Sequence, residues 1–202
     1  MKIFCIGRNY VDHAKELNNP VPSQPLVFMK PASALVKDGS PFYYPEFSKD
    51  IHFECEIVLK MGRAGKSIPH CMAIEMIDEI TLGIDYTARD IQKKCKEKGH
   101  PWEIAKAFDY SAPVGIFSDF KEFENKDIEF RLEKNGTVVQ NGKSSEMIFD
   151  FATLIVHLSN YFTLKKGDLI FTGTPAGVGP VEKGDILEGF LMNQKVLTSL
   201  IK

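Results

Sequence analysis

The chain has 202 residues, of which 44% are hydrophobic, 26% charged and 11% aromatic, and its formal net charge is −2. This length and composition are typical of one globular domain with a sizeable core, so we predict a single domain over residues 1–202. Near-neutral charge without a basic stripe disfavours nucleic acid as the main partner. The densest basic stretch, Lys93 to Lys98, also holds Glu97 and follows a helical pattern, so we interpret it as a solvated helix face.

No apolar run approaches the roughly 18 to 20 residues that a membrane-spanning helix needs. The apolar stretch at the N-terminus is also too short for the apolar region of a signal peptide. We therefore predict a cytoplasmic protein with no membrane partner. The four cysteines, Cys5, Cys55, Cys71 and Cys95, form no Cys-x-x-Cys pair. We interpret them as reduced structural thiols rather than metal or redox ligands.

The predicted elements begin with a short helix over residues 10–17 and an extended, turning path over 18–31, where four prolines exclude regular helix. Strands are predicted over 51–60, 81–85, 128–132, 137–140, 169–172, 186–192 and 196–201. Helices are predicted over 70–78, 86–98 and 147–162, the last with Ser144 or Ser145 as its N-cap. Asn135-Gly136 predicts a two-residue hairpin, and Asn193 to Lys195 predicts another turn. The pattern indicates a mixed α/β fold.

Acidic side chains alternate in the first long strand. Strand periodicity places Phe53, Cys55 and Ile57 on one face, and Glu54 and Glu56 side by side on the other. If that face is buried, the two anions need a cation, and a divalent metal would supply one. A solvated polar face is the alternative.

A third acid, Asp85, ends an apolar strand just before a helix, which is a common place for a ligand-bearing acid and also for a simple helix cap. Three oxygen ligands favour a hard ion, with Mg²⁺ first and Mn²⁺ or Ca²⁺ as alternatives.

A histidine and a glutamate form the second constellation. His13 and Glu16 are three residues apart in a helical stretch, so they share one face and can hydrogen-bond. A carboxylate paired with imidazole orients the ring and raises its basicity, as a general base requires. A surface salt bridge is the alternative interpretation.

Further polar groups come from the second half of the chain and from its central helix. Thr174 lies in a glycine-rich stretch, residues 172–180. This stretch either approaches an anion with its backbone N–H groups or forms only a structural turn. The spacing of its glycines is not that of a nucleotide-binding loop. Lys106 stands among apolar neighbours and either needs an anionic partner or snorkels to the surface. Arg89 and Gln92, at i and i+3, form either an anion clamp or an exposed face.

Taken together, six ordered segments resemble the fumarylacetoacetate hydrolase family in its short form. They are Gly-Arg-Asn-Tyr at 7–10 with His-Ala at 13–14, Phe-Met-Lys-Pro at 28–31, Phe-Glu-Cys-Glu-Ile at 53–57, and residues 83–92, 106–115 and 172–179. The resemblance covers nearly the whole chain. It implies a mixed β-sandwich roll with a few packing helices, and a homodimer.

The same resemblance implies roles for individual residues. Glu54, Glu56 and Asp85 would bind Mg²⁺ or Mn²⁺, and His13 and Glu16 would lie on a lid-like segment as catalytic residues. Lys106 would join them in catalysis, while three more side chains would line the substrate site: Arg89, Gln92 and Thr174.

The predicted activity is metal-dependent cleavage of the C3–C4 bond of a 2,4-dioxo acid or of oxaloacetate through a pyruvate enolate, as in an acylpyruvate hydrolase or an oxaloacetate decarboxylase. His13, oriented by Glu16, would activate the attacking water in hydrolysis, whereas decarboxylation needs no water.

Three alternatives stay open. The first is a 2-hydroxyhepta-2,4-diene-1,7-dioate-type isomerase, in which the same groups only move a proton. The second is a non-catalytic module that binds a metal or a small acid. The third is a zinc hydrolase that uses His52 with Glu54 and Glu56.

Overall fold

The structure is a computed structural model that describes residues 1–16, 20–36 and 39–202. Its strands are β1 (Ile3–Gly7), β2 (Leu26–Lys30), β3 (Leu35–Val36), β4 (Ile51–Phe53), β5 (Cys55–Met61), β6 (Ile77–Ile84), β7 (Thr87–Ala88), β8 (Ala112–Pro113), β9 (Ser118–Asp119), β10 (Glu129–Lys134), β11 (Thr137–Lys143), β12 (Leu169–Phe171), β13 (Gly179–Pro180), β14 (Ile186–Leu191) and β15 (Gln194–Leu200). Its α-helices are α1 (Val11–Glu16), α2 (His70–Ala73), α3 (Arg89–Lys98), α4 (Glu103–Lys106) and α5 (Phe151–Tyr161).

Two larger sheets carry the architecture. One has six strands in the order β2-β1-β12-β5-β6-β9, and the other has four antiparallel strands in the order β11-β10-β14-β15. Only the β1–β12 pair of the six-stranded sheet is parallel. Two smaller sheets have the strand orders β13-β4-β7 and β3-β8. The predicted mixed α/β class is confirmed: it is a β-rich roll with few helices.

One large apolar cluster joins the sheets and the helices. Side chains of β5 and β6 pack in it against those of α5 and of the four-stranded sheet. Phe4 meets Phe162 at 5.2 Å between ring centroids, which holds the end of α5 against β1. Within the described residues, no helix is long and apolar enough to cross a membrane. The four cysteines are unpaired thiols, as predicted.

Glycine at position 83 lets three strands approach closely. A Cβ placed there would lie 2.6 Å from Phe171 Cε1 and 2.8 Å from Val58 Cγ2, both from buried side chains. A methyl group has no room at this point, so the register of β6 against β5 depends on having glycine at position 83.

The hairpin predictions are largely correct. Asn135 and Gly136 have φ values of 52° and 78°, and they join β10 to β11 as expected for a two-residue turn. The second turn is formed by Met192 and Asn193, with φ values of 46° and 69°, rather than by Asn193 to Lys195. Gln194 already pairs with Leu191, because β14 and β15 continue to the turn on both sides.

Helix boundaries were predicted less well. Helix α3 begins at Arg89 rather than at residue 86, because Tyr86 is buried against Phe42 at 3.9 Å between ring centroids and the next two residues pair with β4. Helix α5 begins at Phe151, and its N-cap is Asp150, whose carboxylate accepts a hydrogen bond from the Thr153 N–H.

The predicted caps of α5, Ser144 and Ser145, bind Asp127 instead and lie in a short 3₁₀ turn.

The predicted helix over 70–78 is α2 followed by a 3₁₀ turn. Its last two residues, Ile77 and Asp78, belong to β6, where Ile77 pairs with Met61 of β5. The strand predicted over 51–60 is interrupted at Glu54. Leu17, the last residue of the first predicted helix, lies outside the described residues.

We expect Gly83→Ala to destabilise the fold by about 1–3 kcal/mol, because the added methyl group overpacks the contact with Phe171 and Val58. Urea unfolding measures the free-energy change. The control is Gly179→Ala, whose Cβ would lie 3.3 Å from the Phe53 ring and which should cost less. Equal stability of Gly83→Ala and wild type would contradict the close packing described here.

Candidate active site

Three carboxylates converge where two strands end. Glu54 occupies the one-residue break between β4 and β5, Glu56 lies inside β5, and Asp85 directly follows β6. The Asp85 N–H donates to the Glu54 carbonyl oxygen at 2.8 Å, so the two chain segments are fixed to one another. One ligand oxygen from each carboxylate lies within 4.8 Å of the others, and all three side chains are buried. We call these residues the acidic triad.

Basic side chains surround the acidic triad. Lys106 Nζ lies 2.9 Å from Glu54 Oε2 and 2.6 Å from Asp85 Oδ2. Lys30 Nζ lies 2.8 Å from Asp85 Oδ1, and Arg89 Nη2 lies 2.5 Å from Glu54 Oε1. Three positive groups therefore pair with two of the three acids, Glu54 and Asp85, which helps this much charge to be buried.

Sequence reasoning missed Lys30 as a site residue. It is 1% exposed at the end of β2, and besides Asp85 its ammonium group donates to Ser111 Oγ at 2.9 Å and to the Lys106 carbonyl oxygen. It thus fixes both the triad and the chain segment that carries Lys106. A lysine that ends an apolar strand and precedes a proline was the available signal.

The two glutamates have opposite pKa shifts. Burial alone would raise the pKa of Glu54, but Lys106 and Arg89 outweigh it and hold that pKa well below its ordinary value. Burial raises the pKa of Glu56, and the negative charges of Asp85 and Glu54 raise it further, against the Gly173 N–H that donates to Glu56 Oε2 at 2.7 Å. Burial would lower the pKa of Lys106, but Asp85 and Glu54 outweigh burial and raise it.

The triad suits a divalent cation. Its ligand atoms are all carboxylate oxygens, which hard ions such as Mg²⁺, Mn²⁺ and Ca²⁺ prefer. The repulsion that raises the pKa of Glu56 is also what such an ion would relieve. His52, the ligand of the zinc alternative, turns instead to Asp50, with Nε2 2.9 Å from Oδ1. The described residues thus give zinc no histidine at the triad.

The predicted His-Glu pair is present, and His13 lines the same cleft as Glu54 and Lys106. His13 Nδ1 lies 3.3 Å from Glu16 Oε2, and the histidine is 4% exposed. The other oxygen of Glu16 accepts a hydrogen bond of 3.1 Å from the Gly177 N–H, which ties α1 to the glycine-rich loop. With the Nδ1 hydrogen directed to Glu16, the Nε2 lone pair of His13 is left to accept a proton.

Asn9 fixes the start of α1 against that loop. Its side-chain amide donates to the carbonyl oxygens of Thr172 and Phe149 at 2.8 and 2.9 Å, and its Oδ1 accepts from the Phe149 N–H. Gly173, at φ 101°, approaches so closely that a Cβ there would lie 2.6 Å from Asn9 Cβ. Asn9 therefore places His13 relative to the residues that follow β12.

The structure places the remaining predicted residues as follows. Arg89 Nη1 donates to Gln92 Oε1 at 2.8 Å, and both side chains line the cleft beside Lys106. Thr174 lies deeper: its hydroxyl donates to the Cys55 carbonyl oxygen and accepts from Gln140, at 2.8 Å each. In this arrangement, Thr174 supports the strand that carries the two glutamates.

A small cleft, partly open to solvent, joins several of these groups. The predicted residues that line it are His13, Glu54, Arg89, Gln92 and Lys106. Phe28 and Trp102 form an aromatic side of the same cleft, with ring centroids 6.2 Å apart. An imidazole, a carboxylate of the acidic triad and an ammonium group thus meet at one cleft, an arrangement typical of active sites.

Comparisons with known proteins agree with this geometry. The family model described as "Fumarylacetoacetate (FAA) hydrolase C-terminal" matches residues 2–197. The chain is 41% identical over 187 residues to the mitochondrial oxaloacetate tautomerase FAHD1 of Mus musculus, covering 92% of this chain and 85% of the mouse protein.

Two solved structures share the fold. The first is fumarylpyruvate hydrolase from Pseudomonas aeruginosa, in complex with Mn²⁺ and pyruvate; it has a TM-score of 0.93 and 36% identity, over 100% of this chain and 89% of that one. The second is 2-hydroxyhepta-2,4-diene-1,7-dioate isomerase from Mycobacterium marinum, with a TM-score of 0.86 and 36% identity, over 99% and 73% of the two chains.

We expect metal binding to release a proton and to tighten as pH rises, because the raised pKa of Glu56 lets a proton compete with the metal for this carboxylate. Titration calorimetry with Mn²⁺ at about pH 6 and pH 8, in two buffers of different ionisation enthalpy, measures both effects. Glu56→Gln should lose most of the affinity and the proton release. Affinity independent of pH in the wild type would contradict the assignment.

Proposed function

Because the chain belongs to the fumarylacetoacetate hydrolase family, we propose that it is a divalent-metal-dependent enzyme that acts on a small 2-oxo acid. The proposed reaction is cleavage of the C3–C4 bond of a 2,4-dioxo acid or of oxaloacetate. The observation that carries the proposal is one cleft lined by His13, Glu54 and Lys106, with Glu16 hydrogen-bonded to His13 and the other two acids of the triad beside Glu54.

A metal at the triad would be held by Glu54, Glu56 and Asp85, and support comes from the Mn²⁺ and pyruvate bound by the Pseudomonas enzyme. When bound, Mg²⁺ or Mn²⁺ supplies a Lewis acid that draws electrons from the 2-oxo group of the substrate. Mere binding of metal or of a small acid would not need a buried histidine oriented by a carboxylate. This argues against the non-catalytic module.

Individual residues of the chain carry out the remaining steps of the proposed reaction. His13, with Nδ1 directed to Glu16, receives the proton of the attacking water in hydrolysis and returns it to the product. Lys106 places a positive charge beside the reacting atoms, and Gln92 keeps its Nε2 group to donate, since its Oε1 accepts from Arg89. Decarboxylation of oxaloacetate uses the same positive charges but no attacking water.

A second candidate reaction is proton relocation without bond cleavage, as in tautomerisation of oxaloacetate or isomerisation of a dienoate. The observation that favours it is again the His13–Glu16 pair, which can remove and return a proton at C3 by itself. The names of the mouse and Mycobacterium relatives support the same candidate. The proposed partner is therefore a 2-oxo acid; the homodimer and the cytoplasmic location stay predictions.

The first test is a panel of substrates with Mg²⁺ and with excess EDTA. Acetylpyruvate, fumarylpyruvate and oxaloacetate are followed by enol absorbance and by NMR, which separates cleavage from tautomerisation. Mg²⁺-dependent formation of pyruvate supports the proposed cleavage, and keto–enol exchange without cleavage supports the second candidate. No change in any substrate, with Mg²⁺ shown to bind, would contradict both and favour the binding module.

We expect His13→Ala to lower kcat for acylpyruvate hydrolysis by about 10²–10⁴-fold, because it removes the base that activates water. Oxaloacetate decarboxylation should fall much less, and the affinity for Mg²⁺ should stay unchanged. The matched control is His100→Ala, an exposed histidine at the end of α3. Equal loss of both activities at unchanged metal affinity would overturn this division of roles.

A further inference from the structure

Two cations at the cleft form no ion pair with the triad. Arg8, which follows β1, and Lys96, on α3, both line the cleft. Within the described residues, neither forms an ion pair with a carboxylate. Lys106 and Arg89 differ from them, because both are already held by the triad. The cleft therefore has positive charge in excess.

The geometry of α3 explains how Lys96 reaches the cleft. Arg89, Gln92 and Lys96 stand at i, i+3 and i+7, so they form one row along the helix. The ammonium group of Lys96 lies 5.5 Å from the ring centroid of Trp102, which steadies the side chain at the aromatic side. Lys96 is exposed, as are Lys93, Lys94 and Lys98, in agreement with the predicted solvated face.

Arg8 is held in an unusual backbone conformation at the same cleft. Its φ is 60°, a left-handed value that side-chain-bearing residues rarely adopt, and the hydrogen bonds of Asn9 fix the chain directly after it. Burial lowers the pKa of Lys96, and the positive charges of Arg8 and Arg89 lower it further, so these cations repel one another. An anion between them would remove the repulsion.

We propose that Arg8 and Lys96 form a second anion subsite, which binds a carboxylate at the far end of the substrate and makes the enzyme selective for dicarboxylic 2-oxo acids. This inference rests on the proposed function, because the 2-oxo acid end of the substrate is assigned to the triad. A substrate with a neutral acyl group would leave the two cations unpaired, and its binding would be correspondingly weaker.

The test compares stable ligands that differ only at the far end. Binding to the Mg²⁺-loaded protein is measured by titration calorimetry for 2-oxovalerate against 2-oxoglutarate and for 2-oxohexanoate against 2-oxoadipate. Each pair has equal chain length, with a methyl group in the first member and a carboxylate in the second. We expect the dicarboxylate to bind about tenfold more tightly in at least one pair.

Variants assign this preference to the two residues. Lys96→Gln and Arg8→Gln should each reduce it severalfold while leaving the Kd of the monocarboxylate within about twofold, and Arg8→Lys should retain most of it. Lys98→Gln, on the same helix but outside the cleft, is the matched control and should change nothing.

Three results would count against the inference. Equal binding of mono- and dicarboxylates by the wild type overturns the second subsite and leaves the proposed function intact. A preference that survives in both Gln variants overturns the assignment to Arg8 and Lys96. Absence of binding by every 2-oxo acid, with Mg²⁺ bound, overturns the proposed function together with the subsite.

Discussion

The structure depends on one electrostatic constraint: three carboxylates are buried within a few ångströms of one another. Isolated from water, Glu54, Glu56 and Asp85 would repel strongly enough to force protonation or unfolding. Lys30, Lys106 and Arg89 offset the repulsion, and each arrives from a different element. The least compensated of the three carboxyl groups is that of Glu56, whose pKa is raised. The fold thus holds the metal-free site together while leaving one position that favours a further cation.

The strand framework explains why these groups meet. The break at Glu54 lets the chain change from the small sheet of β4 to the large sheet of β5 while the side chain stays at the junction. β6 pairs with β5 and brings Asp85 to the same end, and β12 on the other side of β5 leads into the loop that contacts Glu16. Glycine at position 173 allows the loop and Asn9 to meet without a side chain between them.

The candidate site was more predictable from the sequence than were its surroundings. Alternation around Glu54 and Glu56, and the acid at the end of an apolar strand, are local patterns that indicated the candidate ligands, and the resemblance to a family joined the three acids into one site. Lys30 was missed because its partners lie 55 or more residues away along the chain, where no periodicity connects them. The start of α3 was misplaced for a similar reason: stacking of Tyr86 on Phe42 and pairing with β4 override the local helical pattern.

The parallel pairing of β1 with β12 has a consequence for how the molecule is made. Ile3 lies opposite Leu169, so the first strand lacks this neighbour until most of the chain has left the ribosome. The contacts of Asn9 with Thr172 and of Glu16 with Gly177 are equally distant in sequence. The candidate site is therefore completed late in biosynthesis, and a nascent chain halted before residue 169 exposes an apolar strand without the neighbour that would cover one of its edges.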